Sequence, residues 1–223
     1  MKVLKTFRHE FKYLISYEEM LSLRNKFNEL LEIDQSYNGY MIRSLYFDSI
    51  NDDDYYDKLD GNINRKKIRL RIYDPNTEIV KLELKSKYDI HQIKESLIIS
   101  KEDALKLINE DYEILLDYDE EVAKKIYLML KEGIYKPKTI IEYDRIAYKT
   151  STTTRITFDY NIRCSTNFDN FFKEDINNYN LSNKEVVLEV KFDRFLEPYI
   201  SNVLSKYISN NQSVSKYIMG RNI

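Results

Sequence analysis

The stretch 64-NRKKIRLRIY-73 decides the fold. Its successive positions are alternately aliphatic and basic: Ile68, Leu70 and Ile72 against Lys67, Arg69 and Arg71. This period of two is typical of a β-strand with one buried face. The window holds five basic residues and, before Asp74, no acidic one. The sequence therefore predicts a strand whose polar face is strongly positive.

The same alternation recurs in seven further windows of the chain. They are residues 6–15, 40–48, 78–87, 91–99, 138–149, 153–160 and 186–192. Helical patterns occupy the gaps at 17–31, 101–110, 119–132 and 197–209, the first two with capping signals at Ser16 and Ser100. Eight strands in sequential order with short connections predict an antiparallel meander or barrel with helices outside. Because no Pro-, Gly- or Ser-rich linker divides the chain, we expect one domain over residues 1–223.

Composition excludes several classes of protein. The 223 residues include 35 Lys and Arg against 37 Asp and Glu, a net charge of −2, which argues against a uniformly basic nucleic-acid binder. Cys164 is the only cysteine, so no internal disulfide is possible. The N-terminus lacks a secretory signal pattern, and no apolar run reaches the roughly 18 residues of a membrane span. We therefore expect a cytoplasmic protein without an integral membrane segment.

The near-zero net charge hides a separation of charges along the sequence. At least six of the predicted strands carry two or more charged residues on one face, and most of these are Lys or Arg. Acidic residues are concentrated elsewhere, with seven of them and no basic residue in the segment 109–121. Like charges on neighbouring strands repel, so such a face favours a bound anion. In a closed barrel with its apolar side outward, the cations would line a tunnel suited to a triphosphate or polyphosphate.

A few carboxylates lie among the strand cations: Glu10, Glu83, Asp159 and Glu189. Each of them has two roles open to it on spacing alone. It can pair with neighbouring Arg and Lys side chains, or it can hold a divalent metal that bridges phosphate oxygens.

The order of the strand motifs resembles a known family. The matching segments are RHEFKY at 8–13, SLYFD at 44–48, KIRLRIY at 67–73, LELK at 82–85, IEYDR at 141–145, RITFD at 155–159, LEVK at 188–191 and SKY at 215–217. Together they cover nearly the whole chain and resemble the VTC (vacuolar transporter chaperone) polyphosphate polymerase domain. That domain is a branch of the CYTH/triphosphate tunnel metalloenzyme superfamily.

The resemblance implies an α+β fold, an eight-stranded antiparallel β-barrel tunnel with helices packed outside. It implies a bacterial, soluble phosphotransferase that moves the γ-phosphoryl group of ATP to a growing inorganic polyphosphate chain, with Mn²⁺ or Mg²⁺ as cofactor. The catalytic positions are Arg69, Arg71, Lys85 and Glu189, with Glu189 as the metal ligand. The further phosphate- and nucleotide-binding positions are Lys12, Lys94, Arg145, Arg155 and Lys216. Strand alternation alone adds Lys191 to this set.

Two departures from the family pattern bear on the activity. Arg8 stands where hydrolytic members of the superfamily have their first glutamate, which favours the polymerase branch. Ser213 stands where the pattern has a basic residue, which removes one expected phosphate contact. Two alternatives therefore stay open, namely an inorganic triphosphatase or nucleoside triphosphatase of the same superfamily and a non-catalytic polyanion-binding module. Nucleic acid is not an expected partner, because no aromatic stacking positions are evident beside the cations.

Overall fold

We describe the protein from a computed structural model, which covers residues 8–34, 38–89, 91–150, 153–176, 179–181, 185–206 and 214–222. Backbone contacts divide the chain into two compact units. The first unit lies within Met1–Met41, Tyr143–Ile162 and Asn180–Ser215, and the second lies within Ile42–Glu142, Arg163–Tyr179 and Lys216–Ile223. The single domain over residues 1–223 stays a prediction.

The described residues form ten strands and six α-helices. The strands are β1 (Arg8–Ser16), β2 (Glu32–Ile33), β3 (Tyr40–Asp48), β4 (Arg65–Ile72), β5 (Ile79–Tyr88), β6 (His91–Ser100), β7 (Lys136–Lys149), β8 (Arg155–Ser165), β9 (Tyr179–Asn180) and β10 (Glu185–Asp193). The helices are α1 (Tyr17–Leu30), α2 (Asp53–Leu59), α3 (Lys101–Ile108), α4 (Glu121–Glu132), α5 (Pro198–Leu204) and α6 (Lys216–Met219). Each of the eight predicted strand windows overlaps one of the eight long strands.

The predicted helix starts are confirmed in atomic detail. The Ser16 hydroxyl accepts a hydrogen bond from the Glu19 N–H at 3.1 Å, and the Glu19 carboxylate accepts one from the Ser16 N–H at 2.9 Å. At the start of α3 the Ser100 hydroxyl accepts from the Asp103 N–H at 3.1 Å. Of the predicted helix 197–209, residues 207–209 lie outside the described residues. The sequence patterns did not predict α2 or α6.

In the first unit the hydrogen-bonded strand order is β1-β10-β8-β7, and β2 pairs with β7. One face of this sheet is apolar and packs against α1 and α5. Its buried core includes Tyr13, Phe158 and Leu188 from the strands, with Phe27 and Ile200 from the helices. Alternation therefore places the charged residues of β1, β8 and β10 on the opposite face.

In the second unit the strand order is β7-β3-β4-β5-β6. Its apolar face packs under α3 and α4, with Leu70 and Leu82 from the strands against Leu107 and Ile126 from the helices. Neighbouring strands are antiparallel wherever their register is described. Both units thus bury the apolar side of each strand under helices, as the alternation predicts.

The class of fold is confirmed, since the eight long strands make an antiparallel sheet with helices packed outside. The strand order has two ends, β1 and β6, in the part of the chain that the structure describes. The hydrogen bonding there does not close the expected ring of eight strands. None of the helices in the described ranges combines the length and the apolar character needed to cross a membrane.

Arg43 is a buried charge on the apolar side of β3, with 1% of its surface exposed. Its Nε donates to the Glu142 carboxylate at 2.5 Å, and its Nη1 donates to the backbone carbonyls of Phe171 at 2.9 Å and Lys173 at 2.5 Å. Arg163 binds the other carboxylate oxygen of Glu142 at 2.6 Å. Because a buried guanidinium is stable only when it is paired and hydrogen-bonded, Arg43 ties the segment 170–174 to the sheet.

The C-terminal anchor is the segment 214–222, which includes α6. The buried Asp48 carboxylate at the end of β3 accepts hydrogen bonds from the N–H groups of Asp54 and Tyr55, both at 2.9 Å, and from the hydroxyl of Tyr217. Arg221 binds Asp52 through two N–H groups at 3.0 and 2.8 Å. One carboxylate therefore holds both the start of α2 and the helix that carries Lys216.

Gly220 lets this anchor approach β7 closely. A Cβ atom at this position would lie 2.1 Å from Cδ1 of Ile141 and 3.2 Å from the Thr139 hydroxyl oxygen. The Thr139 hydroxyl also donates to the Gly220 carbonyl at 3.3 Å. Glycine is thus required here by close packing rather than by its backbone angles.

The Asp54→Asn substitution in α2 is expected to remove a pH dependence of stability. Burial, and secondarily the charge of Asp48, raises the pKa of Asp54 from 3.8 to about 8, while the Tyr135 hydroxyl donates to its carboxyl at 3.1 Å. At a pH between 3.8 and about 8, Asp54 keeps its proton in the folded protein and has released it in the unfolded chain. The free energy of unfolding should therefore fall as the pH rises through this window, by on the order of 1 kcal/mol per pH unit.

Urea unfolding between about pH 5 and about pH 9 measures this dependence. The Asn variant should gain on the wild-type protein up to about pH 8 and keep a constant advantage above it. The matched control is Asp60→Asn, at an exposed carboxylate next to α2, which should follow the wild-type curve. Parallel curves for Asp54→Asn and the wild-type protein would contradict the prediction.

Candidate functional site

Two clusters of charged side chains lie on the polar faces of the sheet, one in each unit. The first-unit cluster consists of Glu10, Lys12, Arg145, Arg155, Asp159, Glu189 and Lys191. The second-unit cluster consists of Tyr46, Lys67, Arg69, Arg71, Glu83, Lys85, Lys94 and Lys216. All ten site residues expected from the sequence lie in these two clusters.

Acidic and basic residues alternate across the pair β1 and β10. Glu10 lies directly opposite Lys191, and Lys12 lies directly opposite Glu189. The Glu189 carboxylate is 3.0 Å from the Lys191 ammonium and 3.7 Å from that of Lys12, which also binds Glu10 at 2.6 Å. Burial lowers the pKa of Lys12, but Glu189 and Glu10 outweigh it and leave the pKa raised. Lys12 is therefore charged, and both lysines are held in place by the two carboxylates.

Arg145 is fixed by a carboxylate that has no exposed surface. Its Nε donates to Asp159 at 2.6 Å and its Nη2 donates to the other Asp159 oxygen at 2.8 Å, a bidentate geometry. Glu189 lies 3.9 Å from the same Nη2. Burial lowers the pKa of Arg145, but the charge of Asp159 outweighs it and raises the pKa well above its ordinary value. Asp159 thus acts as a positioning residue for Arg145.

Arg155 and Thr157 complete this face on β8. The Nη2 of Arg155 is 2.8 Å from the Asp34 carboxylate and 3.2 Å from the Tyr40 hydroxyl. Thr157 lies directly opposite Glu189 and is buried. Strand alternation places Arg155, Thr157 and Asp159 on the same side of β8 as the cluster.

The second-unit cluster is organised as rows across β4, β5 and β6. In one row Lys67 lies opposite Lys85, and Lys85 lies opposite Lys94. In the next row Arg69 lies opposite Glu83. Three lysines in register on adjacent strands repel one another, and the ion pair of Lys94 with Glu83 compensates part of this repulsion.

Glu83 is the buried carboxylate at the centre of this cluster. Nε and Nη2 of Arg69 both lie 2.7 Å from one of its oxygens, and Nε of Arg71 lies 3.8 Å from the same oxygen. Lys94 binds the other oxygen. Burial raises the pKa of Glu83, but Arg69, Arg71 and Lys94 outweigh it and hold the pKa far below its usual range. Of the two roles open to Glu83, the structure shows the pairing role.

Two tyrosines connect the second-unit cluster to the C-terminal anchor. Arg69 donates from Nη1 to the Tyr46 hydroxyl at 3.0 Å, and the Tyr46 ring lies 5.2 Å from that of Tyr217. The Lys67 ammonium lies 5.1 Å from the centre of the Tyr217 ring. Burial raises the pKa of Tyr46, but the charges of Arg69, Arg71 and then Lys216 outweigh it and leave the pKa lowered. Lys216 therefore contributes to the positive field of this cluster.

Sequence reasoning missed several of these functions. It gave no role to Tyr46, Tyr217 or Thr157, and it left the roles of Glu83 and Asp159 undecided. The side chain of Arg8 and the whole of Ser213 lie outside the described residues. The two departures from the family pattern therefore rest on the sequence alone. The catalytic and binding roles of the ten site residues likewise stay predictions.

A divalent metal fits the first-unit cluster only together with phosphate. Within the described ranges no group of three or more His, Cys, Asp or Glu side chains could hold a metal ion. Two carboxylates, Glu10 and Glu189, share the same lysines at one end of the cluster. Mg²⁺ is commonly held by one or two carboxylates, with substrate phosphates and water supplying the other ligands. The donor chemistry therefore fits a metal that enters with a phosphorylated substrate.

Comparison with solved structures identifies the class of fold. A proposed adenylate cyclase from Bacillus halodurans is 13% identical, with a TM-score of 0.58 over 96% of each chain. HpAC1 from Hippeastrum, a proposed adenylyl cyclase described as having a dominant triphosphatase activity, is 13% identical with a TM-score of 0.59, over 96% of this chain and 94% of that one. The chain therefore shares the fold of these two proteins.

The family is shown by a second comparison. A model of the VTC domain matches residues 7–223, so the chain belongs to the VTC domain family. No curated protein sequence matches the chain. The resemblance drawn from the strand motifs is confirmed at the level of family and fold.

Proposed function

We propose that this VTC domain is a polyphosphate polymerase that transfers the γ-phosphoryl group of ATP to the end of an inorganic polyphosphate chain. The observation that carries the proposal is the length of the basic face in the second unit. From Arg65 to Arg71 the face extends over seven residues of β4, about 20 Å at the usual rise of a strand. The three phosphoryl groups of ATP fill only part of that length, whereas a polymer fills all of it.

Lysines of the neighbouring strand β5 continue this face on one side of β4. Lys87 lies opposite Arg65, Lys85 lies opposite Lys67, and Lys81 lies opposite Arg71. Such a ladder of cations binds a linear polyanion by charge along its whole length. Its only described carboxylate, Glu83, is already neutralised by Arg69, Arg71 and Lys94.

Phosphoryl transfer on such a site depends mainly on positioning and charge stabilisation. Arg69 and Arg71 project from the same face of β4, and Glu83 fixes the guanidinium of Arg69. Both side chains can then hold oxygens of neighbouring phosphoryl groups through paired N–H donors. The positive charge of Lys85 and Lys94 stabilises the negative charge that spreads over the transferred group.

The reaction balances without a general base. An oxygen of the terminal phosphate of the acceptor chain forms a bond to the γ-phosphorus of ATP. The bond between that phosphorus and the bridging oxygen of the β-phosphate breaks, and ADP leaves with the electron pair. The attacking oxygen is already anionic, so no proton has to be removed from it.

Mn²⁺ or Mg²⁺ belongs to the proposal as the cofactor. Glu189 would hold the ion, with Glu10 beside it on the neighbouring strand, and the ion would neutralise charge on the phosphate oxygens. Lys12, Lys191 and Arg145 surround the carboxylate and would hold phosphates bound beside it. An ATP-consuming reaction also agrees with the cytoplasmic location predicted from the sequence.

One assay tests the proposal against its alternatives. The purified protein is incubated with ATP and Mn²⁺ and the products are separated. Acid-insoluble polyphosphate together with released ADP is the expected result. Release of orthophosphate from tripolyphosphate, without polymer, would replace the proposal with a triphosphatase. Polyphosphate binding without either product would leave a non-catalytic binding module.

A further inference from the structure

Three buried polar atoms on β8 have no hydrogen-bond partner among the described residues. Two of them lie in the first unit, namely the hydroxyl oxygen of Thr157 and the Nε of Arg155, two positions apart on the same face of the strand, and the third is the Nε of Arg163 in the second unit. The Thr157 side chain is 4% exposed. Buried polar groups are satisfied in the great majority of native structures, so a pair of unsatisfied donors on one face needs an explanation.

Three other threonines have partners for their hydroxyl groups, so the lack of a partner is particular to Thr157 among these four. The Thr154 hydroxyl donates to the Glu197 carboxylate at 2.6 Å, and the Thr150 hydroxyl donates to the other oxygen of the same carboxylate at 3.1 Å. The Thr139 hydroxyl donates to a backbone carbonyl. Thr157 differs from them because it lies on the charged face, directly opposite Glu189.

The surroundings define the chemistry of the missing partner. It must accept hydrogen bonds, because the Arg155 Nε–H can only donate. It must also fit beside the cations Arg145, Lys12 and Lys191, which converge on Glu189. The carboxylates of the cluster are bound to these cations already. An oxygen of a phosphoryl group meets both requirements.

We infer that the Thr157 hydroxyl donates a hydrogen bond directly to a phosphoryl oxygen of the polyanion bound on the first-unit cluster, with the Arg155 Nε–H donating beside it. Thr157 is thus a further substrate-binding residue. It is uncharged, so the pattern of basic residues in the sequence does not point to it. The inference rests on the proposed function in so far as it takes a chain of phosphates as the ligand. A ligand oxygen at this position would supply the partner that this hydroxyl lacks within the protein.

The test measures binding without turnover. Calorimetric titration with tripolyphosphate in the presence of EDTA gives the affinity of the wild-type protein and of three variants. Thr157→Val should bind about tenfold or more weakly, the usual effect of losing a hydrogen bond to a charged group. Its Tm should be unchanged or slightly higher, because the lost hydroxyl had no partner. Thr157→Ser keeps the hydroxyl and should stay within about threefold of the wild-type affinity.

Thr154→Val is the matched control. It removes a satisfied hydroxyl from the segment that leads into the same strand, so it should lower the Tm by about 3 °C and leave the affinity unchanged. A loss of affinity without a loss of Tm identifies a ligand contact, and a loss of Tm without a loss of affinity identifies a structural contact.

Three outcomes would overturn the inference. They are an unchanged affinity of Thr157→Val, an equal loss in Thr157→Ser, and a loss that appears only when Mn²⁺ is present. The last would make the hydroxyl a metal ligand instead of a phosphate contact. A wild-type protein that binds no tripolyphosphate would overturn the proposed function itself. A protein that binds and shows the predicted variant pattern but makes no polymer would refute the polymerase and leave the Thr157 contact standing.

Discussion

The Arg69→Ala variant is expected to form polyphosphate from ATP about 100-fold or more slowly than the wild-type protein. Arg69 carries the most highly connected guanidinium of the second-unit cluster, bound to Glu83 and Tyr46 at 2.7 and 3.0 Å. Removing one preorganised hydrogen-bond donor that stabilises charge in the transition state lowers the rate by about 100-fold to 1000-fold. The measurement is the initial rate of ADP release and polymer formation at saturating ATP.

A second variant separates this loss of activity from a loss of folding. Without Arg69, the buried Glu83 keeps Arg71 and Lys94 as partners but is less well compensated. The double variant Arg69→Ala with Glu83→Gln removes that uncompensated charge and should regain Tm without regaining activity. Lys124→Ala, which removes an exposed positive charge on α4, serves as the control and should keep the wild-type rate. A rate within about threefold of wild type in Arg69→Ala would exclude Arg69 from the site.

Glu189→Gln is expected to lose metal-dependent polymer formation by about 100-fold or more, because it removes the proposed ligand of the metal. The same change removes the negative charge that lies between Lys12, Lys191 and Arg145. In EDTA, tripolyphosphate should therefore bind the variant more tightly, by roughly fivefold to tenfold. Rate and metal-free affinity thus move in opposite directions.

Manganese binding followed by electron paramagnetic resonance gives an independent readout for this variant. In the presence of tripolyphosphate, the Gln variant should retain less bound Mn²⁺ than the wild-type protein. Glu185→Gln, at an exposed carboxylate on the same strand, is the control and should match the wild-type protein in all three measurements. Normal Mn²⁺-dependent polymerisation by Glu189→Gln would remove the metal from this residue.

Strand alternation predicted most of the fold because it depends only on local sequence. In β4 the aliphatic residues at 68, 70 and 72 are fully buried in the apolar core, and the basic residues between them lie on the polar face. The helix start at Ser16 is equally local, since its two hydrogen bonds join residues three apart. The same alternation places Glu189 and Lys191 of β10 on the face opposite the buried Leu188 and Val190.

The connections between distant residues could not be predicted in this way. Glu83 is recognisable as a partner of Arg69 only when the register of β4 and β5 is known. Arg43 interrupts the apolar pattern of its strand, and the sequence gives no reason for it. The reason lies in distant residues, since Glu142 and backbone carbonyls of the segment 170–174 bind its guanidinium. The short helix α2 begins in an Asp-rich segment typical of a turn, and its start is stabilised by Asp48 rather than by a side chain at the cap position.

The bond between Asp48 and Tyr217 has a consequence for the order in which the chain can fold during its synthesis. The two residues are 169 positions apart, so β3 to β6 leave the ribosome long before Tyr217 exists. Throughout that interval the Asp48 carboxylate lacks its tyrosine, and Tyr46 lacks the ring that covers it. Contacts of such long sequence separation form slowly and late. The second unit is therefore incomplete until its C-terminal anchor has been synthesised, and an incomplete unit is prone to misassembly. The anchor that brings Lys216 to the cluster also ends this period.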